Sequence, residues 1–424
     1  MLLWSNIDIR AVAFTDGASI KLALNPITGD LYILNPGTGL RRIQISKSDR
    51  MEKVANPDDI VEDAFVSGMA FGPDGVLYVV ANRTVDNNYT QAIIRKGTAN
   101  DDGEFQWETL AETEPYPLGG TPFDHLFNGI VVDPDGNWVY VNSGSRTDHG
   151  EEENNGTLFQ DVREVPLTAR ILRIPSNAIN LTLENNEGAL EEVTFARGTR
   201  NAFDLEFAPN GDLFGVDNGP DADYPDELNW LREDYHYGFP WKFGDQDNPQ
   251  QFPDYTSIGD KRLSPDFTAV RIGAYRRDPE FPKSPGGFTL PVLNLGPDAD
   301  QYRADDGSQH DASEEGIPLF TFTPHRSPLG LAFATSANLP PDYRGDETTF
   351  SAFLLSWGSA GGTLTDRGQD LLHLQLTKNG DNYEAVTTQI ASGFNNPIDS
   401  VLIGNRLYVL DYGSGGTLWE LTFK

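Results

Sequence analysis

The 424-residue chain predicts an all-β fold, a six-bladed β-propeller with four-stranded blades and long rim loops. Three observations carry that prediction. A strand-turn-strand unit recurs six times, its clearest copies turn on Pro-Asp-Gly or Pro-Asn-Gly, and segments with helical character are scarce and short.

The clearest turns are Gly72-Pro73-Asp74-Gly75, Asp133-Pro134-Asp135-Gly136 and Ala208-Pro209-Asn210-Gly211. Proline presets a negative φ, and Asp or Asn before Gly tolerates the left-handed backbone of a tight reversal. Weaker copies hold the register at residues 19–34, turning at Asn25-Pro26-Ile27-Thr28-Gly29, in a stretched unit at 327–355, and at 397–410, turning at Gly404-Asn405. Six blades of roughly 40–50 residues account for most of the chain. Residues 1–424 are therefore expected to form a single domain, although length alone suggests two or three. Single helical turns are expected at 57–62 and 177–180. The longest departure from the repeat, about 232–323, is rich in Asp, Pro, Gly, Tyr and Phe. It reads as a functional rim or as a cover over a blade, and both readings stand open.

Charge narrows the partners. The chain carries 64 acidic against 31 basic residues, a net −33 spread along its length, which argues against nucleic acid and anionic membrane surfaces. Only nine of the basic residues are lysine, a balance that suits a salt-adapted surface, with ordinary acidic solubility as the alternative. The absence of cysteine excludes disulfide and thiolate chemistry. No apolar run is long enough to span a bilayer, and the start Met1-Leu2-Leu3-Trp4-Ser5-Asn6 lacks a leader pattern. The expectation is a protein that stays inside the cell or a mature form.

In a propeller the first strand of each blade lines the axial channel, and the residues just ahead of it sit at one rim. The copies align on Lys21, Gly68, Gly129, Asp204, Gly330 and Asp399. Four residues earlier stand Gly17, Ala64, His125, Arg200, Arg326 and Asn395, and one step further in stand Ala18, Phe65, Leu126, Asn201, Ser327 and Asn396. The second strand returns antiparallel, so loops 81–88, 142–155, 217–227, 357–368 and 412–416 reach the same rim. Loop 217–227 gathers five carboxylates around Gly219-Pro220, which suits a hard cation bound by carboxylate and carbonyl oxygens, without the spacing of an EF-hand. Loop 142–155 puts Arg146, Asp148 and His149 side by side. His149, His236, His310 and His373 read as hydrogen-bonded structural residues. His125 reads as functional, because it shares its register with Arg200, Asn201 and Arg326.

The run Gly198-Thr199-Arg200-Asn201-Ala202-Phe203-Asp204, followed by Asn218-Gly219-Pro220, Asp226-Glu227-Leu228-Asn229 and Tyr237-Gly238-Phe239-Pro240-Trp241, resembles the soluble PQQ-dependent glucose/sorbosone dehydrogenases, or aldose sugar dehydrogenases. Asp124-His125, His325-Arg326-Ser327-Pro328-Leu329-Gly330-Leu331 and Pro397-Ile398-Asp399 extend the resemblance over at least four blades. It implies a propeller holding pyrroloquinoline quinone (PQQ) and calcium over the channel. His125 is then the general base for the anomeric hydroxyl as hydride passes to the quinone. Arg200 and Asn201 contact the quinone oxygens with Asn218 beside them, and the carbonyls of Gly219 and Pro220 bind calcium. Arg326, Arg146 and Arg367 are the candidates to meet the cofactor's carboxylates. The implied partners are a sugar substrate and an external electron acceptor, and the implied location is periplasmic or secreted.

One departure stands out: relatives often carry Gly-Asp where this chain has Gly144-Ser145, which leaves Asp124, Asp148 or Glu151 to orient His125. Two other readings compete. A calcium-dependent lactonase would need metal-binding Glu, Asn and Asp side chains in the channel, and the inner register supplies no Glu. A non-enzymic binding scaffold would show a mixed aromatic rim without a His, Arg and metal cluster.

Overall fold

The computed structural model describes residues 2–3, 6–45, 50–346, 348–358, 362–413 and 415–424. Parts of the chain start and of rim loops 357–368 and 412–416 thus lie outside the described residues.

The turns work somewhat differently from the sequence reading. Gly75, Gly136 and Gly211 take the left-handed conformation themselves, at φ +82°, +74° and +89°, and the preceding Asp or Asn does not. Gly211 N donates to Ala208 O at 2.9 Å and Ala208 N to Asp212 O at 2.8 Å. Pro209-Asn210 therefore form the centre of an ordinary turn, and the glycine absorbs the positive φ that joins it to the returning strand.

Each unit is the inner hairpin of one blade. The first blade runs Lys21–Leu24, Leu31–Asn35, Gly39–Ile43 and Met51–Ala55. The second comprises Phe65–Phe71, Leu77–Val85, Tyr89–Ala99 and Phe105–Thr113, and the third Phe127–Val132, Trp138–Ser143, Arg170–Pro175 and Thr194–Arg197. Pro328–Phe333, Thr349–Ser356, Asp370–Asn379 and Asn382–Ser392 build the fifth. Two blades depart from expectation. The fourth holds Ala202–Phe207, Leu213–Asp217 and Glu227–Leu231, because after Leu231 the chain leaves into the 232–323 segment, which meets this edge at single points, Val292 N on Leu228 O and Phe322 N on Asp226 O, instead of pairing along it. The sixth, Pro397–Ile403, Arg406–Asp411 and Thr417–Phe423, takes its outer strand from the other end of the chain: Ile7–Phe14 pairs antiparallel with it, Ile7 opposite Phe423. That pairing fastens the ring, since an open blade would leave an edge.

Inner strands contact their neighbours all the way round, from the sixth back to the first. Where the repeat carries glycine, the approach is close: a Cβ on Gly68 would lie 2.0 Å from Asn128 O, and one on Gly129 2.6 Å from Ala202 O. At the equivalent Asp204 and Asp399 a carboxylate bridges the gap, accepting from Leu331 N at 2.8 Å and Leu22 N at 2.6 Å. Apolar packing fills the wedges between blades, as with Tyr78, Val80, Ile130 and Val141 between the second and third. The helical turn Pro57–Ile60 forms as expected. Residues 177–180 form no helix, and the turn of helix lies further on, at Glu187–Leu190, where the Asn186 side chain accepts from Ala189 N.

Candidate active site

Five of the six inner strands carry one extra residue near their start, at Val66/Gly68, Phe127/Ile130, Ala202/Asp204, Pro328/Gly330 and Pro397/Asp399. Such bulges re-aim side chains at a rim. Just ahead of two of them stand His125 and Arg200, and the structure brings these together. His125 N donates to Ser145 O at 3.0 Å, and Ser145 N donates to Arg200 O at 2.7 Å. Gly144 permits this, because a Cβ there would meet the His125 Cβ at 2.5 Å.

The His125 ring is half-buried, with Nδ1 3.0 Å from Ser145 Oγ and 3.2 Å from Ser145 O. Its Nε2 has no partner among the described residues and is not sealed from solvent. Burial, helped by the neighbouring Arg200 charge, pushes its pKa down to about 3. None of the carboxylates expected to orient the ring does so. Asp124 accepts from Gly119 N and Gly120 N. Asp148 pairs with His149 Nδ1 at 2.8 Å and Arg200 Nη2 at 2.7 Å, and Glu151 accepts from the amides of Asp148 and His149.

Arg200 is buried and uses three of its five N–H donors inside the protein: Nε on Asp148 O at 2.7 Å, Nη2 on Asp148 Oδ1, and Nη1 on Asn218 O at 3.1 Å. Two donors are left over. Asp217 beneath it accepts from Arg200 N at 2.8 Å and Asn201 N at 2.5 Å. Asn201 Oδ1 accepts from Asn128 Nδ2 at 2.7 Å, while its own NH₂ has no partner among the described residues and is not sealed from solvent. Asn128, which the sequence reading passed over, also holds Gly129 N and is held by Asn142. A polar residue at the bulge, where Phe203, Leu329 and Ile398 stand in other copies, was the available signal.

Loop 217–227 is not a carboxylate cage. Asp221 accepts from Ala269 N, Asp223 pairs with Arg303 and His325, Asp226 holds Gly219 N and Ser327 N, and Glu227 holds Gly244 N and Asn229. With Asp217 below Arg200, all five carboxylates brace the loop. Among the described residues no group of three or more His, Asp or Glu converges as metal ligands. The carbonyls differ: among the described residues that of Gly219 accepts no hydrogen bond, whereas that of Pro220 accepts from Ala222 N at 2.7 Å. Burial and the nearby Asp217 raise Glu227 to about 8, and burial together with Asp226 raises Asp217 to about 6.

The expected carboxylate-binding arginines fare unequally. Arg326 is buried and bonded to Asp366, to both oxygens of Asp370 at 2.6 Å, and to Ser356, with no bond joining it to His125 or Arg200. Arg146 is buried with its donors on the carbonyls of Pro117, Leu118, Glu153, Val162 and Arg163. It pins loop 142–155 and faces no ligand. Arg367 is exposed. His149 is sealed against Tyr275, ring centroids 3.8 Å apart. The 232–323 segment closes over this side, with Tyr275, Phe239 and Phe243 packed beside Tyr224 and Phe123.

Comparison with known proteins agrees with this arrangement. The glucose/sorbosone dehydrogenase family model matches residues 40–268, more than half of the chain. Curated proteins give no match. Among solved structures, the soluble aldose sugar dehydrogenase of Escherichia coli in its apo form is 15% identical, with a TM-score of 0.62 over 99% of this chain and 100% of that one. A putative oxidoreductase (glucose dehydrogenase) of Thermus thermophilus is 18% identical, with a TM-score of 0.56 over 98% and 99%. The holo PQQ domain of a Coprinopsis cinerea pyranose dehydrogenase is 14% identical, with a TM-score of 0.58 over 99% and 96%. These likenesses establish the six-bladed fold. The chain belongs to the glucose/sorbosone dehydrogenase family and is an oxidoreductase of the sugar dehydrogenase type.

Proposed function

We propose that the protein oxidises an aldose or related sugar at its anomeric hydroxyl, with PQQ and calcium held at the His125 end of the channel and an external acceptor taking the electrons. The observation that carries this reading is the free Nε2 of His125 beside Arg200 and Asn201, whose spare N–H groups face no protein acceptor.

The chain's own chemistry follows from those atoms. His125 is neutral over the ordinary pH range, so its Nε2 lone pair can take the hydroxyl proton as hydride leaves the anomeric carbon. The two remaining Arg200 donors and the Asn201 amide can hold oxygens on which negative charge grows, and a positioned donor of this kind is worth about 2.7–4 kcal/mol of barrier. Asp148 keeps the guanidinium aimed through a buried ion pair. When bound, PQQ supplies the hydride acceptor. Arg200 and Asn201, with their spare donors, and Asn218 beside them would hold its quinone end. The Gly219 and Pro220 carbonyls would hold a calcium, a hard cation suited to oxygen ligands. Of the three arginines considered for the carboxylated end, Arg367 would be the one to meet it, being exposed while Arg326 and Arg146 are bonded within the protein.

Dye-coupled assays on a panel of aldoses, with added PQQ and calcium, test the reading. Sugar-dependent dye reduction that a chelator suppresses is expected. Lactone hydrolysis without quinone, or no turnover of any aldose, would contradict it.

A further inference from the structure

Ser145 occupies the place where the His125 ring is held, and its hydrogen bonds are directional. Nδ1 faces two oxygens, Ser145 O at 3.2 Å and Ser145 Oγ at 3.0 Å. A carbonyl oxygen can only accept. The hydroxyl has one proton, and that proton lies on Thr147 O at 2.7 Å. Both oxygens therefore require a proton on Nδ1, which leaves the lone pair of the neutral ring on Nε2. Ser145 is fully buried, and its backbone N is fixed on Arg200 O at 2.7 Å, so hydroxyl and ring keep one geometry.

We propose that Ser145 is a positioning residue for the sugar oxidation: its hydroxyl fixes His125 as the Nδ1–H tautomer with an uncharged acceptor, so that Nε2 works as a base without a carboxylate behind the ring. This rests on the dehydrogenase reading for its purpose but not for its geometry. An uncharged acceptor orients the ring without stabilising the imidazolium. The groups facing the ring are Ser145, Arg200 and, further off, Asp148, whose carboxylate is already paired with Arg200 and His149. A carboxylate in place of the hydroxyl would favour the charged ring and move the acid limb of activity upward.

Long-range ¹H–¹⁵N spectra of histidine-labelled protein, with the His125 signals assigned by their loss in His125→Ala, read the tautomer directly and need no turnover. The wild type is expected to show His125 protonated on Nδ1 alone. Ser145→Ala keeps the backbone acceptor, so Nδ1–H should remain the major form with a minor Nε2–H population, and kcat should fall about tenfold at unchanged KM, short of the 10²–10⁴ that loss of a general base costs. Ser145→Thr should restore both. Ser145→Asp should raise the acid limb of kcat by about one to three pH units, which a merely structural effect would not do. A wild-type ring protonated on Nε2, or a Ser145→Ala protein with unchanged tautomer and rate, would overturn the proposal. An Nδ1–H ring in a protein that oxidises no sugar would sink the dehydrogenase reading and leave the tautomer assignment standing.

Discussion

The third and fourth blades and the fifth and sixth meet the rim with the same backbone and different chemistry. Gly144 N bonds to Leu126 O, Asn218 N to Asn201 O, Trp357 N to Ser327 O and Tyr412 N to Asn396 O, so these four residues stand at equivalent places after each second strand. On one side the position is a glycine that lets a loop reach His125, or an asparagine whose carbonyl holds Arg200. On the other it is an aromatic pair, Trp357 and Tyr412, with centroids 4.8 Å apart. The arginines repeat the contrast. Arg200 has one carboxylate partner and donors that are not sealed from solvent, while Arg326, at the same register, is bound by two carboxylates and a hydroxyl, and its Nε is sealed without a partner. Equal register thus places side chains alike without giving them alike surroundings: what each loop offers behind the guanidinium decides how fully its charge is met inside the protein.

Breaking the active half should have the largest effect. His125→Ala is expected to cost about 10²–10⁴ in sugar oxidation with folding intact, read by dye-coupled rates beside thermal melts. The arginine pair sharpens the contrast. Arg200→Lys, which keeps the charge and loses the fork, should lower kcat/KM about 10–100-fold, as expected where donors act in the transition state. Arg326→Lys should leave activity within about twofold and lower stability by about 1–3 kcal/mol in urea unfolding, since its buried partners lose hydrogen bonds. Equal activity losses in both would erase the distinction between the halves. Gly144→Ala should fall between, with activity down about tenfold, because the new Cβ displaces His125 and its loop. The smallest effect belongs far from the mouth. Glu206 lines the axial channel cavity of about 320 Å³ with Lys21, Asp204 and Asp399, and burial and the neighbouring carboxylates raise it to about 8. The folded chain therefore holds a proton that the unfolded chain releases above about pH 4.3, and stability falls as pH rises from there towards 8. Glu206→Gln should flatten that slope in melting temperature and leave sugar oxidation unchanged.

Much of this was legible beforehand, and the rest for a physical reason was not. Turn chemistry and repeat spacing announce the blades, because a Pro-Asn-Gly hairpin is a local device. The register that gathers His125, Arg200 and Asn201 follows from the repeat alone. Closure by Ile7–Phe14 was hidden, since a strand that pairs with Thr417–Phe423 carries no local mark of so distant a partner. The fourth blade's missing strand was hidden too, because the 232–323 segment is rich in turn formers whichever way it packs. Among site residues, the carboxylates of loop 217–227 and the guanidinium of Arg326 were over-read: a charge is visible in sequence, whereas the amide or counter-ion that satisfies it lies up to a hundred residues away, as with Asp226 and Ser327 N. Ser145 was noticed only as a missing aspartate, because a hydroxyl's role depends on where its single proton goes.

The claim that the third- and fourth-blade rim is the working half is tested most directly by titrating the protein with PQQ, with and without calcium, and following visible absorbance for wild type, Arg200→Lys and Arg326→Lys. Saturable calcium-dependent binding, bleached by an aldose, weakened by Arg200→Lys and nearly untouched by Arg326→Lys, is the predicted result. No binding at micromolar quinone, or weakening by Arg326→Lys alone, would contradict it.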